Sequence, residues 1–171
     1  MIVWINGACG VGKTSVAKRL VRRLPGARLF DPERIGFELR HEGRLRSGAD
    51  FQDLPEWRRL TVERIAATEA ASAAPLVVPM ALADPGYFDE VIGGLRSLGL
   101  DLRHFTLTAS AATVERRLRE RLDWPSSRCW ALARVEPCVA ALAAPRFAEH
   151  VDSEAKGPAD LADHIAARLG G

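Results

Sequence analysis

The chain has 171 residues, 47% of them hydrophobic and 27% charged, with a formal net charge of +2, an ordinary globular mix long enough for one domain with its own core. So small a charge leaves no electrostatic footprint for nucleic acid, and no apolar run approaches the roughly 18 residues of a membrane span. Cys9, Cys129 and Cys138 are an odd set without C-x-x-C spacing, which argues against a disulfide framework or a zinc site.

The first five residues, Met1-Ile2-Val3-Trp4-Ile5, read as a buried strand. Directly after Asn6 comes Gly7-Ala8-Cys9-Gly10-Val11-Gly12-Lys13-Thr14, which fits the phosphate-loop pattern G-x-x-x-x-G-K-[ST], and Ser15 to Leu24 follows with helical spacing. Glycines there let several backbone N–H groups converge on one anion, and the helix start adds its positive end. Gly7 through Ser15 are therefore the expected nucleotide-binding residues, with Lys13 reaching the β- and γ-phosphates and the Thr14 hydroxyl holding Mg²⁺. Cys9 is expected to present only its backbone to phosphate, although a thiol near a helix N-terminus is also a candidate for reactivity.

A second short strand, Ala27 to Asp31, ends in an acid, and Pro32 suits the first turn of a helix over Glu33 to Arg40. Residues 41–54 lack periodicity and read as a mobile surface segment, followed by a long helix from Pro55 to Ala71. Leu76-Val77-Val78-Pro79-Met80 is an apolar third strand, then a helix runs from about Tyr87 to Leu98 and closes at Gly99. Leu102 to Leu107 is the fourth strand, and Ser110 is the expected N-cap of a helix reaching Leu122. Trp130 to Leu142 reads as helix, His150-Val151-Asp152 as a fifth strand, and Pro158 to Leu169 as the terminal helix.

This alternation predicts an α/β fold, a five-stranded parallel sheet covered on both faces, as one domain spanning 1–171. Ligands in such sheets sit at the carboxyl ends of the strands, where the phosphate loop, Asp31 and the segments after Met80 and Leu107 converge. Asp31 is either a carboxylate that accepts a proton from a substrate hydroxyl or binds Mg²⁺ through water, or the former of an Asp-Pro turn. The third strand ends in Pro79-Met80, without the acid that many phosphate-loop NTPases place there, and no N-K-x-D guanine motif is present. Mg²⁺ would then rest on Thr14, phosphates and waters, with Asp31 or Asp84 in an outer position.

Arg116, Arg117, Arg119 and Arg121 on the predicted helix from Ser110 to Leu122 are either a lid folding over the nucleotide, covering about 115–135, or a solvated face paired with Glu115 and Glu120. Arg117 and Arg121, four apart, share a face and are the candidate catalytic arginines beside Lys13 and Asp31. For the acceptor, Phe51, Gln52, Trp57, Arg58 and Arg59 offer an aromatic with nearby donors, although Trp57 reads equally well as core. His41, His104, His150 and His164 have no metal-ligand spacing, and His104 reads as structural.

With these residues assembled, the chain resembles the small P-loop kinases, the group with gluconate, shikimate and antibiotic kinases, and more closely the tunicamycin-resistance proteins. That likeness rests on Trp4-Ile5-Asn6-Gly7-Ala8 with the loop, Asp31-Pro32-Glu33, Gly36-Phe37, Phe51-Gln52, Trp57-Arg58, Val78-Pro79-Met80, His104-Phe105-Thr106-Leu107, Ala109-Ser110, Arg117-Leu118-Arg119 with Arg121, and Cys138-Val139. The resemblance implies a three-layer P-loop sandwich with a short lid that binds ATP and Mg²⁺. It also implies resistance to tunicamycin, a uridine-containing nucleoside antibiotic, by phosphoryl transfer or by ATP-gated sequestration. The family's arginine before the late-helix cysteine is replaced here, in Val135-Glu136-Pro137-Cys138, so its role would fall to Arg134 or Arg128, or be missing. A cytoplasmic location is expected, with no added amphipathic membrane segment after Gly170-Gly171.

Overall fold

A computed structural model describes residues 1–46, 48–120 and 130–170. Its five strands are β1 (Ile2–Gly7), β2 (Arg28–Leu29), β3 (Leu76–Pro79), β4 (Leu102–Thr108) and β5 (His150–Asp152). They pair in the order β2-β3-β1-β4-β5, and every pairing is parallel. The central strand β1 is buried along all six residues, as a strand covered on both faces must be.

Side chains alternate across the sheet and divide the core in two. Val3, Ile5, Val77, Phe105 and Leu107 face one layer, with Val16, Ala17 and Leu20 of α1 (Lys13–Arg23), Leu161 and Ile165 of α8 (Pro158–Leu169), and Val114 and Leu118 of α6 (Ala111–Glu120). Ile2, Trp4, Leu76 and Val78 face the other, against Ile35 and Leu39 of α2 (Glu33–His41), Trp57 and Ile65 of α3 (Pro55–Ala70), and the α4 region. That region runs from α4 (Pro85–Phe88) through a π-helical stretch, Asp89–Gly93, into α5 (Gly94–Ser97). Asp84 caps it by accepting from Tyr87 N at 2.9 Å, and Pro85 occupies its first turn.

The expected elements are all present where they can be described, with shifted ends. α1 starts at Lys13 rather than Ser15, because the loop's Lys13 and Thr14 are already its first turn. β2 is two residues instead of five, although Phe30 N still donates to Val77 O at 2.9 Å. Within 41–54 the chain makes one 3₁₀ turn, Phe51–Asp53, started by the Asp50 carboxylate accepting from Gln52 N. The single helix expected over Trp130 to Leu142 is interrupted at 133–134, and α7 (Val135–Leu142) restarts there. Pro137 supplies the reason: it has no N–H for a bond to residue 133, so it fits only a first turn. Ser110 caps α6 as expected, its hydroxyl accepting from Thr113 N at 3.2 Å. Arg121, Arg128 and the middle of the expected lid, residues 121–129, lie outside the described residues, and among those described no helix is long and apolar enough to cross a membrane.

Candidate nucleotide and acceptor site

The phosphate loop leaves β1 at Gly7 and enters α1 at Gly12, which takes φ +113°, a left-handed conformation that side-chain-bearing residues rarely adopt. At Gly10 the requirement is space: a Cβ would lie 2.5 Å from Leu118 Cγ, because α6 rests directly on the loop. The amides of Lys13, Thr14 and Ser15 are the first of α1 and have no intrahelical acceptors, so they form a donor set at the positive end of the helix. Lys13 reaches back across the loop, its Nζ donating to Gly7 O at 2.8 Å and Ala8 O at 3.0 Å. Thr14, the residue expected to hold Mg²⁺, is exposed on the first turn.

From outside, Arg117 of α6 braces the loop. Its Nη1 donates to Val11 O at 3.2 Å, and its Nη2 to Ser153 O at 2.7 Å and Glu154 O at 3.2 Å. One guanidinium thus joins the phosphate loop to the segment after β5. The Glu154 carboxylate in turn accepts from Thr113 Oγ1 at 2.5 Å and from Ser110 N and Oγ at 2.6 and 2.9 Å. Those donors, the Thr113 hydroxyl first, lower its pKa to about 2, with Arg117 adding a smaller pull. Beside this brace, between the loop and α7, lies a cavity of about 440 Å³ lined by Ala8, Val11, Leu107, Val114, Val139 and Leu142, with Asp152 and Glu154 also on its wall. Cys138 of α7 is near enough to feel Lys13 and Cys9, and burial raises its thiol pKa.

On the opposite side of β1, beyond β3, Asp31 lies two residues past the end of β2. Its Oδ1 accepts from Glu33 N at 3.0 Å and so forms the turn that opens α2. That turn uses one oxygen, and Oδ2 has no partner among the described residues, so the turn and a ligand role coexist. Trp57 is wholly buried behind it and donates Nε1–H to Pro32 O at 3.0 Å. Phe51 packs on Trp57 with ring centres 5.2 Å apart. Arg58 is 7% exposed and spoken for: its Nε donates to Glu90 at 2.6 Å, Nη1 donates to Gln52 O, and the guanidinium lies 4.2 Å over the Tyr87 ring. Trp57 and Arg58 therefore build the wall behind Asp31; direct contact with an acceptor would require Arg58 to give up Gln52 or Glu90. Tyr87, whose hydroxyl donates to Asp53 at 2.9 Å and is held above its usual pKa chiefly by that bond, is a half-buried polar group of this wall that sequence reading did not single out.

Sequence reading also gave no role to Asn6, which is fully buried one residue before the loop and bonded on all sides. For Mg²⁺, the described residues contain no group of three or more His, Cys, Asp or Glu. The Thr14 hydroxyl, with no acid at the end of β3, suits an ion held mostly by phosphates and water.

A family profile described as "AAA domain" matches residues 2–129, and no curated protein matches the sequence. Among solved structures, the Deinococcus radiodurans tunicamycin resistance protein is similar at 33% identity over 99% of this chain and 95% of that one, with a TM-score of 0.81. A sugar kinase from Janibacter sp. HTCC2649 is 19% identical over 99% and 94%, TM-score 0.72. Shikimate kinase from Bacteroides thetaiotaomicron is 17% identical over 100% and 99%, TM-score 0.64. The last two show the shared fold alone. The phosphate loop, the sheet order and the end-to-end match to that first relative place the chain in the tunicamycin-resistance protein family, within the P-loop proteins of the AAA-domain type.

Proposed function

We propose that the protein is an ATP-dependent phosphotransferase acting on a hydroxyl of tunicamycin or a related nucleoside-like compound. The observation that carries this reading is the Asp31 carboxylate: it stands at the carboxyl edge of the sheet, held by the Pro32–Trp57 hydrogen bond, with Oδ2 open. The loop amides and Lys13 bind the triphosphate, and Lys13 exchanges its carbonyl partners for phosphate oxygens. Asp31 takes the proton of the acceptor hydroxyl as its oxygen bonds to the γ-phosphorus and ADP leaves. Thr14 and the phosphates would hold Mg²⁺, which would supply charge neutralisation on the phosphates. Arg117 contributes by fixing the loop; Arg121 is the candidate for direct charge stabilisation. A loose transition state asks mainly for positioning and charge, which this sparse set provides.

A second reading, ATP-gated sequestration of the drug without transfer, is favoured by the missing acid after β3. The two separate when purified protein is incubated with Mg·ATP and tunicamycin and the drug is analysed by mass spectrometry. Gain of one phosphate, absent with Lys13→Ala, is the expected result; unmodified drug bound tightly only with ATP would refute transfer.

A further inference from the structure

We propose that Asn6 and His104 are positioning residues for the phosphate loop: the Asn6 carboxamide sets the loop's first peptide and locks it to the segment after β3, and His104 dictates which way that carboxamide faces. The proposal rests on the reading of this loop as the nucleotide site, and neither side chain touches the ligand.

A carboxamide offers two donors and an oxygen with two lone pairs, and Asn6 uses all four. Oδ1 accepts from Gly7 N and from Leu82 N, each at 2.8 Å. Nδ2 donates to Leu82 O at 2.9 Å and to His104 Nε2 at 3.3 Å. Reversing the amide would aim two N–H donors at the N–H groups of Gly7 and Leu82. His104 excludes that alternative. Its Nδ1–H is committed to Ala148 O at 3.0 Å, so Nε2 presents only a lone pair, and the ring is pinned edge-on against Phe88 at 5.0 Å.

Two consequences reach the site. Gly7 is gripped from both ends, its N–H by Asn6 and its carbonyl by Lys13 Nζ, so the torsions that launch the loop are held between a buried amide and the phosphate-binding ammonium. Beyond β3, meanwhile, Pro79 has no N–H, and Met80 N to Ile5 O at 3.1 Å is the last rung to β1. The Asn6 side chain then stands in for a strand, bonding both backbone groups of Leu82. Through it, the stretch that leads to the Asp84 cap and Tyr87 is registered to the phosphate loop. A misplacement of about 1 Å in such a shell is costly to binding and catalysis.

The test is Mg·ATP binding by titration calorimetry, with melting temperature measured in parallel, on full-length Asn6→Asp, His104→Ala and His104→Gln. Asn6→Asp keeps both acceptor bonds and loses both donors. His104→Gln retains an acceptor for Asn6 and a donor for Ala148. We expect affinity to fall about tenfold or more in Asn6→Asp and His104→Ala and to recover to within about threefold in His104→Gln. Ile65→Ala, a core change in α3 away from the loop, serves as the matched control: it should lower the melting temperature and leave affinity unchanged. Wild-type affinity in folded Asn6→Asp and His104→Ala would overturn the proposal. So would an affinity loss in Ile65→Ala equal to theirs at equal melting temperature. A wild-type protein that binds Mg·ATP yet phosphorylates nothing would overturn the phosphotransferase reading and leave this one standing.

Discussion

His104 makes the protein lose stability on acidification within a defined window. Burial among Phe88, Asn6 and the backbone before β5 drives its pKa from 6.5 down to about 4, outweighing the Ala148 hydrogen bond that works the other way; Arg96 and His150 push in the same direction as burial. As pH falls, the unfolded chain takes up a proton on this imidazole near 6.5, whereas the native ring resists until about 4. The unfolded state therefore binds more protons between those values, and stability drops with pH across that interval and levels off below it. A gap of about 2.5 units corresponds to about 3 kcal/mol in full, of which about 2 kcal/mol is lost from about pH 7.5 to about pH 5. For a chain of this length that is about 4–8 °C in melting temperature. A proton on Nε2 would also meet the N–H of Asn6, donor against donor, and cost that hydrogen bond. Glu154 acts only lower, since its carboxyl is displaced from 4.5 to about 2 and its contribution disappears as pH falls through that range. Urea unfolding at the two pH values, wild type against His104→Gln, isolates the effect. The variant should lose most of the slope; an identical slope in both proteins would refute the assignment.

Trp57→Phe keeps the ring packing on Phe51 but removes one of the two donors to Pro32 O, leaving Ile35 N at 3.1 Å, so urea unfolding should show a loss of about 0.5–1.5 kcal/mol. Ser110→Ala removes the α6 cap at a cost of about 1 kcal/mol by thermal denaturation. It also strips one hydroxyl from Glu154, whose carboxyl should then titrate higher by NMR. Asp31→Asn preserves the Oδ1 acceptor for Glu33 N, so fold and Mg·ATP affinity should stay unchanged while phosphate transfer to the acceptor falls about 10²–10⁴-fold. Undiminished transfer in that variant would discard Asp31 as the base.

Local patterns were the legible part of this molecule. The loop's letters, the alternation of strand and helix, the Ser110 cap and the acid after β2 each announce themselves within a few residues, because glycine torsions, helix caps and Asx turns are set by near neighbours. Where the reading thinned, the cause was distance along the chain. Trp57 left two roles open until its N–H met a carbonyl 25 residues away, and Arg58, expected at the acceptor, is consumed by Gln52 and Glu90. Arg117 was read as a lid or a solvated face, yet its donors go to Val11, 106 residues back, and to Ser153 and Glu154.

Strand order explains why such links had to be non-local. With β1 at the centre of β2-β3-β1-β4-β5, the loop emerges between two surfaces: Asp31 and the 80–84 segment on the β3 side, the cavity and the Arg117 brace on the β4 side. Neither surface is adjacent to the loop in sequence. Each must be tied to it by side chains, Asn6 toward Leu82 across 76 residues and Arg117 back to Val11. Asn6 entered the sequence reading only within the family likeness of Trp4-Ile5-Asn6-Gly7-Ala8, because a lone Asn at the end of an apolar strand carries no period that would reveal its partners. The geometry makes it expensive to replace: two backbone N–H groups, a carbonyl and an imidazole, all around one buried carboxamide, would lose partners together.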